Sequence, residues 1–188
     1  MIHLIIGRQG SGKTLFLVKV AYEAYRSGRK VYSNVHLKFP YKPIDYNDIV
    51  NYKYHNAVVI IDEIHAFLPA RSSMRKINQK VVYGFLSMVR KRDLEVYATT
   101  QHAFKVDKGY REEKDYYYRC SRWAYINDIW HETRHNKKLP PETPVMIKLD
   151  VIEMFEMEEI SFSFIANPYY NLYDSSQIIE IKGLEGTT

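Results

Sequence analysis

Apolar residues recur with two different periods near the start of the chain. Residues 2–6, IHLII, form a short apolar run of the kind that is buried on both faces of a parallel sheet. The apolar positions that follow recur at helical spacing, and Ser27-Gly28 supplies a stop signal. These positions are Leu15, Val18, Val20, Ala21, Ala24 and Tyr25. The pattern predicts a buried strand followed directly by an amphipathic helix.

The alternation of strands and helices continues to about residue 105. Residues 30–39, KVYSNVHLKF, predict a strand, and the polar, proline-containing residues 40–49 predict a loop. Residues 56–63, NAVVIIDE, are the clearest buried strand in the chain. A helix is predicted from about Gln79 to Arg92, before another buried strand at residues 94–100. Alternating strands and helices indicate a parallel sheet with crossover connections.

The C-terminal third is rich in strand-like segments that predict a hairpin or an edge extension of the sheet. They are YYYRCSRWAYINDIW, VMIKLDVIEMFEM and EEISFSFIA. The predicted fold class is therefore α/β, with a mainly parallel sheet flanked by helices and additional β-strands at the C-terminal end. We expect a single domain over residues 1–188. It comprises a core at 1–110, a β-rich extension at 111–181 and a loose tail at 182–188.

Charge and cysteine content narrow the range of partners and settings. The formal net charge of +5 fits an anionic partner. The single cysteine, Cys120, excludes an intrachain disulfide and a cysteine-based metal cluster, which indicates a reducing, intracellular setting. No apolar run approaches the roughly 18 residues of a membrane span, and the N-terminus lacks the features of a signal peptide. We therefore expect no transmembrane segment.

Residues 7–14, GRQGSGKT, match the complete Walker A pattern between a predicted strand and a predicted helix. Glycines let the loop wrap a phosphate, so that backbone N–H groups and the helix N-terminus face the anion. Lys13 is expected to reach the β- and γ-phosphates of ATP, and the Thr14 hydroxyl to ligate Mg²⁺. The predicted ATP-binding residues are Gly7, Gly10, Ser11, Gly12, Lys13, Thr14 and Leu15.

Acidic and amide side chains follow two of the later predicted strands. Asp62 ends a strand that we expect beside the first, where it would hold Mg²⁺, usually through water. The adjacent Glu63 is placed to act as general base toward an attacking water, although the pair would also suit a helix N-terminus. Gln101 would sense the γ-phosphate or orient the water, a solvated loop glutamine being the alternative. His65 and His102 are expected to be neighbours of the site or surface residues.

Two further motifs bear on the chemistry. If subunits form a ring, an arginine from one subunit would complete its neighbour's site. Arg90 or Arg92 is the preferred candidate, with Arg71 and Arg75 as alternatives. Residues 131–135, HETRH, fit a zinc-protease pattern, but that pattern requires a helix and a third ligand. A polar loop or strand end is the expected form of this segment.

GRQGSGKT, VVIIDE and VRKRDLEVYATTQ, in this order, resemble the HerA/FtsK superfamily of RecA-like P-loop ATPases. The resemblance is strongest to viral genome-packaging ATPases, with Zot-like assembly proteins of filamentous phages next. It covers roughly residues 2–105 and, more weakly, NPYYNLYDSSQII. By position, Lys13 and Thr14 match the Walker A pair, Asp62 and Glu63 the Walker B pair, and Gln101 the sensor glutamine.

The resemblance implies a homo-oligomeric ring, hexameric or pentameric, that uses ATP and Mg²⁺ to move double-stranded DNA. It also implies capsid or membrane-associated viral partners in the host cell cytoplasm or at the capsid vertex. The sequence provides no barrel, membrane region or winged-helix domain of the larger relatives, so we expect a motor reduced to its ATPase core. A nucleoside or nucleotide kinase and an ATP-binding scaffold are the alternatives.

Overall fold

The computed structural model describes residues 1–66, 84–106, 108–133, 139–152 and 160–174. A mixed sheet carries helices on its faces, which confirms the predicted α/β class. The strands are β1 Ile2–Ile6, β2 Lys30–Ser33, β3 Lys42–Pro43, β4 Ala57–Ile61, β5 Leu94–Thr100, β6 Tyr116–Ile126, β7 Ile129–Glu132, β8 Val145–Val151 and β9 Ser161–Ile165. The helices are α1 Lys13–Arg26, α2 Tyr46–Val50 and α3 Lys108–Glu113, and residues 84–88 are also helical.

The strands form one sheet in the order β3-β2-β4-β5-β1-β6-β8-β9, with β7 paired to β6. Pairing is parallel from β3 to β6 and antiparallel among β6, β7, β8 and β9. The sequence predicts that the strand leading to Asp62 lies beside the first strand, and this prediction is wrong. β5 lies between β1 and β4, because Val96 pairs with both Ile2 and Val59. This order places the carboxyl end of β5 between that of β1, which leads into the phosphate-binding loop, and that of β4, which leads into the acidic residues.

Local hydrogen bonds explain where the sequence prediction for residues 30–49 is wrong. The predicted strand stops at Ser33, because its hydroxyl both donates to the Val35 carbonyl and accepts from the Val35 amide, at 2.7 and 2.8 Å. The predicted loop contains β3 and α2 instead. Asp45 caps α2, its carboxylate accepting from the Asn47 amide at 2.8 Å.

The C-terminal segments were predicted to form a hairpin or an edge extension of the sheet, and the structure contains both, because β6 and β7 form a hairpin while β8 and β9 extend the sheet. β6 and β7 are joined by a two-residue turn in which Asn127 and Asp128 have φ of 50° and 63°. Such a turn matches the right-handed twist of the flanking strands. Of the predicted helix at 79–92, residues 84–88 are helical and Arg90–Arg92 form a 3₁₀ turn. Residues 67–83 lie outside the described part of the chain.

Both faces of the sheet are covered by apolar side chains. One face packs against residues 84–88 and α2, and the other against α1. The C-terminal strands also contact α1, because Phe162 and Phe164 lie 5.8 and 6.3 Å from Phe16 between ring centroids. Helix α1 is thus held between the parallel strands and the C-terminal extension. Among the helices that the structure describes, none combines the length and apolarity needed to cross a membrane.

Candidate active site

The loop between β1 and α1 owes its shape to glycines that no other residue could replace without strain. Gly10 and Gly12 have φ of 77° and 95°, in the left-handed region that favours glycine. A Cβ at Gly7 would lie 2.7 Å from the carbonyl oxygen of Cys120 on β6. Gly12 is the residue from which α1 begins, and its carbonyl accepts from the Phe16 amide. The loop therefore presents the N-terminus of a 14-residue helix as a site for an anion.

Lys13 lies in the first turn of α1 and is 5% exposed. Its ammonium donates to the carbonyl oxygens of Gly7 and Arg8, at 3.0 and 3.3 Å. These bonds bend the side chain back over the loop instead of toward solvent. A phosphate in the loop would meet this cation directly, as the sequence predicts.

Asp62 is the centre of a buried hydrogen-bond network at the end of β4. The Thr14 hydroxyl donates to Oδ2 of its carboxylate at 2.7 Å, and the Thr99 hydroxyl donates to Oδ1. Asn34 holds its backbone, accepting from the Asp62 amide at 2.7 Å and donating to the Asp62 carbonyl at 2.9 Å. Asp62 is 6% exposed, and its carboxylate cannot turn away without breaking the bonds from the two threonine hydroxyls.

The oxygens of Thr14 and Asp62 fit a magnesium ion. Mg²⁺ prefers oxygen ligands and keeps several waters, so one hydroxyl and one carboxylate suffice. No group of three histidine, cysteine, aspartate or glutamate side chains suited to a metal occurs among the described residues. The Thr14 hydroxyl and the Asp62 carboxylate already lie at hydrogen-bond distance from each other. Both oxygens could contact one ion once that hydrogen bond is broken.

Glu63 is set apart from Asp62 by its backbone. Its φ of 52° turns the chain at the end of β4, and its amide donates to the Thr99 hydroxyl at 3.0 Å. The side chain is 27% exposed, and its Oε2 lies 3.1 Å from Nδ1 of His65 without hydrogen-bond geometry. Oε2 is buried without a hydrogen-bond partner among the described residues, so the exposed part of the side chain lies elsewhere. An unfavourable backbone conformation at such a position is typical of functional sites.

Gln101 follows β5 directly and lies between the phosphate-binding loop after β1 and the acidic residues after β4. This position results from the strand order, because β5 separates β1 from β4. The hydroxyl of Thr100, one residue before it, lies 3.3 Å from His65 Nδ1. His65 is thus a neighbour of the Glu63 carboxylate, whereas His102 is exposed. The structure brings Gln101 to the same edge of the sheet as Lys13 and Asp62.

Two residues of this network, Asn34 and Thr99, were missed from the sequence. Both lie at or just beyond the carboxyl ends of parallel strands, β2 and β5, where the functional residues of such sheets gather. A search for polar residues at those ends would have found them. Thr99 is fully buried and Asn34 is 8% exposed.

The candidate trans arginines lie at the opposite edge of the sheet. Arg90 is ion-paired with Asp115, and Arg92 donates to the carbonyl of Tyr52. They precede β5, whose seven residues span about 20 Å before reaching Gln101. Within one chain these side chains cannot reach the loop, so a role in a neighbour's site stays a prediction. Arg71 and Arg75 lie outside the described residues.

The described residues of the HETRH segment, 131–133, do not have the helical form that a zinc protease needs. His131 and Glu132 belong to β7, where successive side chains point to opposite faces of the sheet. The expectation of a strand end is met for these two residues. His135 lies outside the described part of the chain.

A cleft of about 820 Å³ opens beside the phosphate loop. Its floor includes Gly7 to Ser11, one end is formed by Gln101 and His102, and the other end by β6 and β7. Cys120 lines the cleft from β6, and its thiol donates to the Ser11 carbonyl at 3.2 Å. Burial raises the pKa of this thiol to about 12, so it is a packing group and not a nucleophile.

Comparisons with known proteins agree with this geometry. The family model described as "ATPase family associated with various cellular activities (AAA)" matches residues 3–119, more than half of the chain. The N-terminal domain of zonular occludens toxin from Neisseria meningitidis has a similar fold, with a TM-score of 0.61 at 22% identity. The match covers 92% of this chain and 98% of that one. Among curated protein sequences, none matches the chain.

Two other solved structures are similar over shorter stretches. The flagellar accessory protein FlaH from Methanocaldococcus jannaschii has a TM-score of 0.50 at 12% identity, covering 81% of this chain and 77% of that one. The genome packaging NTPase B204 from Sulfolobus turreted icosahedral virus 2, in complex with ATP-gammaS, has a TM-score of 0.48 at 18% identity. That match covers 63% of this chain and 74% of the other.

Proposed function

Because the chain belongs to the ATPase family associated with various cellular activities, we propose that it is a P-loop ATPase that uses hydrolysis to move DNA. The observation that carries the proposal is the arrangement around Asp62. Its carboxylate accepts from Thr14 of the phosphate loop at 2.7 Å, and the next residue, Glu63, has a partly exposed carboxylate. This arrangement suits the activation of a water molecule, which a kinase must exclude.

Each residue has a definite part in the proposed hydrolysis. Lys13 and the loop amides would hold the β- and γ-phosphates. Thr14 and Asp62 would hold Mg²⁺, which would neutralise charge on the phosphate oxygens. Glu63 takes a proton from water while the water oxygen bonds to the γ-phosphorus. The bond from the γ-phosphorus to the bridging oxygen breaks, and ADP carries away the electron pair. Gln101 orients the attacking water from the central strand.

We further propose that the moving partner is double-stranded DNA and that the task is packaging a viral genome into a capsid. Support comes from the net charge of +5 and from the order of the three sequence motifs. The motor would act as a ring of identical subunits, hexameric or pentameric, in the host cytoplasm or at the capsid vertex. Capsid or membrane-associated viral proteins would be its further partners.

One observation favours a second task, that of a Zot-like phage assembly or extrusion ATPase. The similarity to the zonular occludens toxin domain extends through 92% of this chain and 98% of that one. Both tasks need the same hydrolytic site and differ in the partner. Stimulation of the ATPase by capsids would support packaging, and co-purification with membrane-associated assembly proteins would support the second.

The experiment is a steady-state ATPase assay with and without duplex DNA, at about 50 and 200 mM salt. We expect DNA to stimulate hydrolysis at low salt and the stimulation to fall as salt rises, because phosphate contacts release counterions. Lys13→Ala should abolish hydrolysis in every condition. Wild-type hydrolysis that no DNA changes at low salt would contradict DNA movement while leaving the ATPase intact.

A further inference from the structure

The cleft beside the phosphate loop has a second wall that the hydrolytic residues do not explain. This wall is formed by the β6–β7 hairpin of the C-terminal extension and includes Ser121, Trp123 and Thr133. We propose that the hairpin holds the nucleoside of ATP, with the Trp123 indole as the platform for the base and the Thr133 hydroxyl as a polar contact. The proposal rests on the proposed function, in that it assumes that ATP occupies the loop.

The strand order sets the direction in which ATP must lie. β5 and β6 flank β1 on opposite sides, so about 10 Å separates the strand of Gln101 from the strand of the hairpin. Asp62 lies beyond Gln101, on the side away from the hairpin. With the γ-phosphate next to Asp62 and Gln101, the nucleoside end of ATP points toward β6. The cleft of about 820 Å³ is large enough for a nucleoside, since ligand sites commonly measure about 300–1,000 Å³.

Trp123 is built as a fixed aromatic surface. Its indole Nε1 donates to the Ser121 hydroxyl at 3.0 Å, and the residue is half-buried against the cleft. Because this bond already uses the only indole donor, the ring is left to stack on a base and not to read its edge. Stacking on an aromatic face is tolerant of base identity. The site should therefore bind purine nucleotides with little preference between adenine and guanine.

Thr133 provides the independent observation that a ligand belongs here. The residue is 8% exposed and lines the cleft, yet its hydroxyl has no hydrogen-bond partner among the described residues. Its amide donates to the Arg122 carbonyl at 2.8 Å, which fixes the residue next to β6. Buried hydroxyls without a partner are costly. A ribose or base of a bound nucleotide would supply the missing partner.

Fluorescence offers a direct test, because the chain has two tryptophans, Trp123 and Trp130. In Trp130→Phe, Trp123 is the remaining tryptophan, and ATP should quench its emission while inorganic tripolyphosphate should not. Trp130 is a suitable control because it packs on Tyr125, 5.3 Å between centroids, and does not line the cleft. Equal quenching by the two ligands would overturn the proposal, as would unchanged emission when ATP is shown to bind.

Affinity measurements test the same idea by a second route. Trp123→Ala should weaken ATP binding about tenfold to a hundredfold while changing tripolyphosphate binding less than about twofold, since base stacking is lost and phosphate contacts remain. Trp123→Phe should recover most of the loss, and Thr133→Val should weaken ATP alone. Equal losses for both ligands would contradict the nucleoside site. Failure of the wild-type protein to bind either ligand would instead contradict the proposed ATPase function.

Discussion

Replacing Gly12 with alanine should destabilise the domain through a contact between the phosphate loop and the C-terminal extension. Gly12 has φ of 95°, and an added Cβ would lie 2.2 Å from Cδ1 of Ile147 on β8. The left-handed backbone alone costs about 1–2 kcal/mol for a residue other than glycine. Displacing the fully buried Ile147 side chain adds about 1–3 kcal/mol, as overpacking of a core commonly does. We therefore expect a loss of about 2–5 kcal/mol in the free energy of unfolding.

A double-mutant cycle separates the two costs. Ile147→Val removes the clashing Cδ1 atom and should cost about 0.5–1.5 kcal/mol in the wild-type background. In the Gly12→Ala background it should cost less or stabilise, giving a coupling free energy of about 1 kcal/mol or more. The free energies come from urea unfolding of the four proteins, followed by circular dichroism.

Gly28→Ala is the matched control. Gly28 has φ of 80°, but a Cβ there would meet no atom within 4 Å. Its substitution should show the backbone cost alone and no coupling to Ile147→Val. Equal losses for the two glycine variants, with Ile147→Val additive in both, would refute the close contact between loop and extension.

Two further predictions concern buried polar groups. Burial, with a smaller effect of the N-terminal ammonium, lowers the pKa of His3 to about 4, below the ordinary 6.5, so the folded protein disfavours the protonated ring. The stability that this neutral ring provides should be complete above pH 6.5 and fall by about 3 kcal/mol toward pH 4, and His3→Phe should remove that part of the slope in urea unfolding; identical slopes would contradict it. Asn34→Leu breaks both bonds to the Asp62 backbone and should lower the free energy of unfolding by about 2–3 kcal/mol. Hydrolysis by this variant should also require a higher Mg²⁺ concentration, because the Asp62 carboxylate is less well positioned. An unchanged urea midpoint would show that the network does not stabilise the protein.

The parts of the fold that depend on local pattern could be predicted from the sequence. The run at residues 2–6, the helix that follows and the strand before Asp62 all appear where periodicity placed them. The glycine spacing of the loop specified its conformation, because few residues tolerate its left-handed positions. Strand segments of the C-terminal hairpin were also recognisable from their alternation and turn residues.

Features that depend on distant parts of the chain could not be predicted. No local signal shows that β5 inserts between β1 and β4, since strand order depends on contacts between segments that are distant in sequence. For the same reason, the bonds from Asn34 and Thr99 to Asp62, which join residues 28 and 37 positions apart, were not foreseen. The end of β2 at Ser33 depends on a single hydroxyl that bonds locally to Val35. Sequence pattern identified the chemical groups, and the topology brought them together.

The most direct test of the account is hydrolysis and binding of ATP by Glu63→Gln, with and without duplex DNA. We expect ATP affinity close to wild type and a fall in hydrolysis of about a hundredfold or more, because the general base is lost while the phosphate and magnesium ligands remain. Glu112→Gln serves as control, since Glu112 is exposed on α3 and paired with Lys108 at 3.3 Å, and should hydrolyse ATP normally. Hydrolysis by Glu63→Gln at the wild-type rate would contradict the proposed role of Glu63 in activating water.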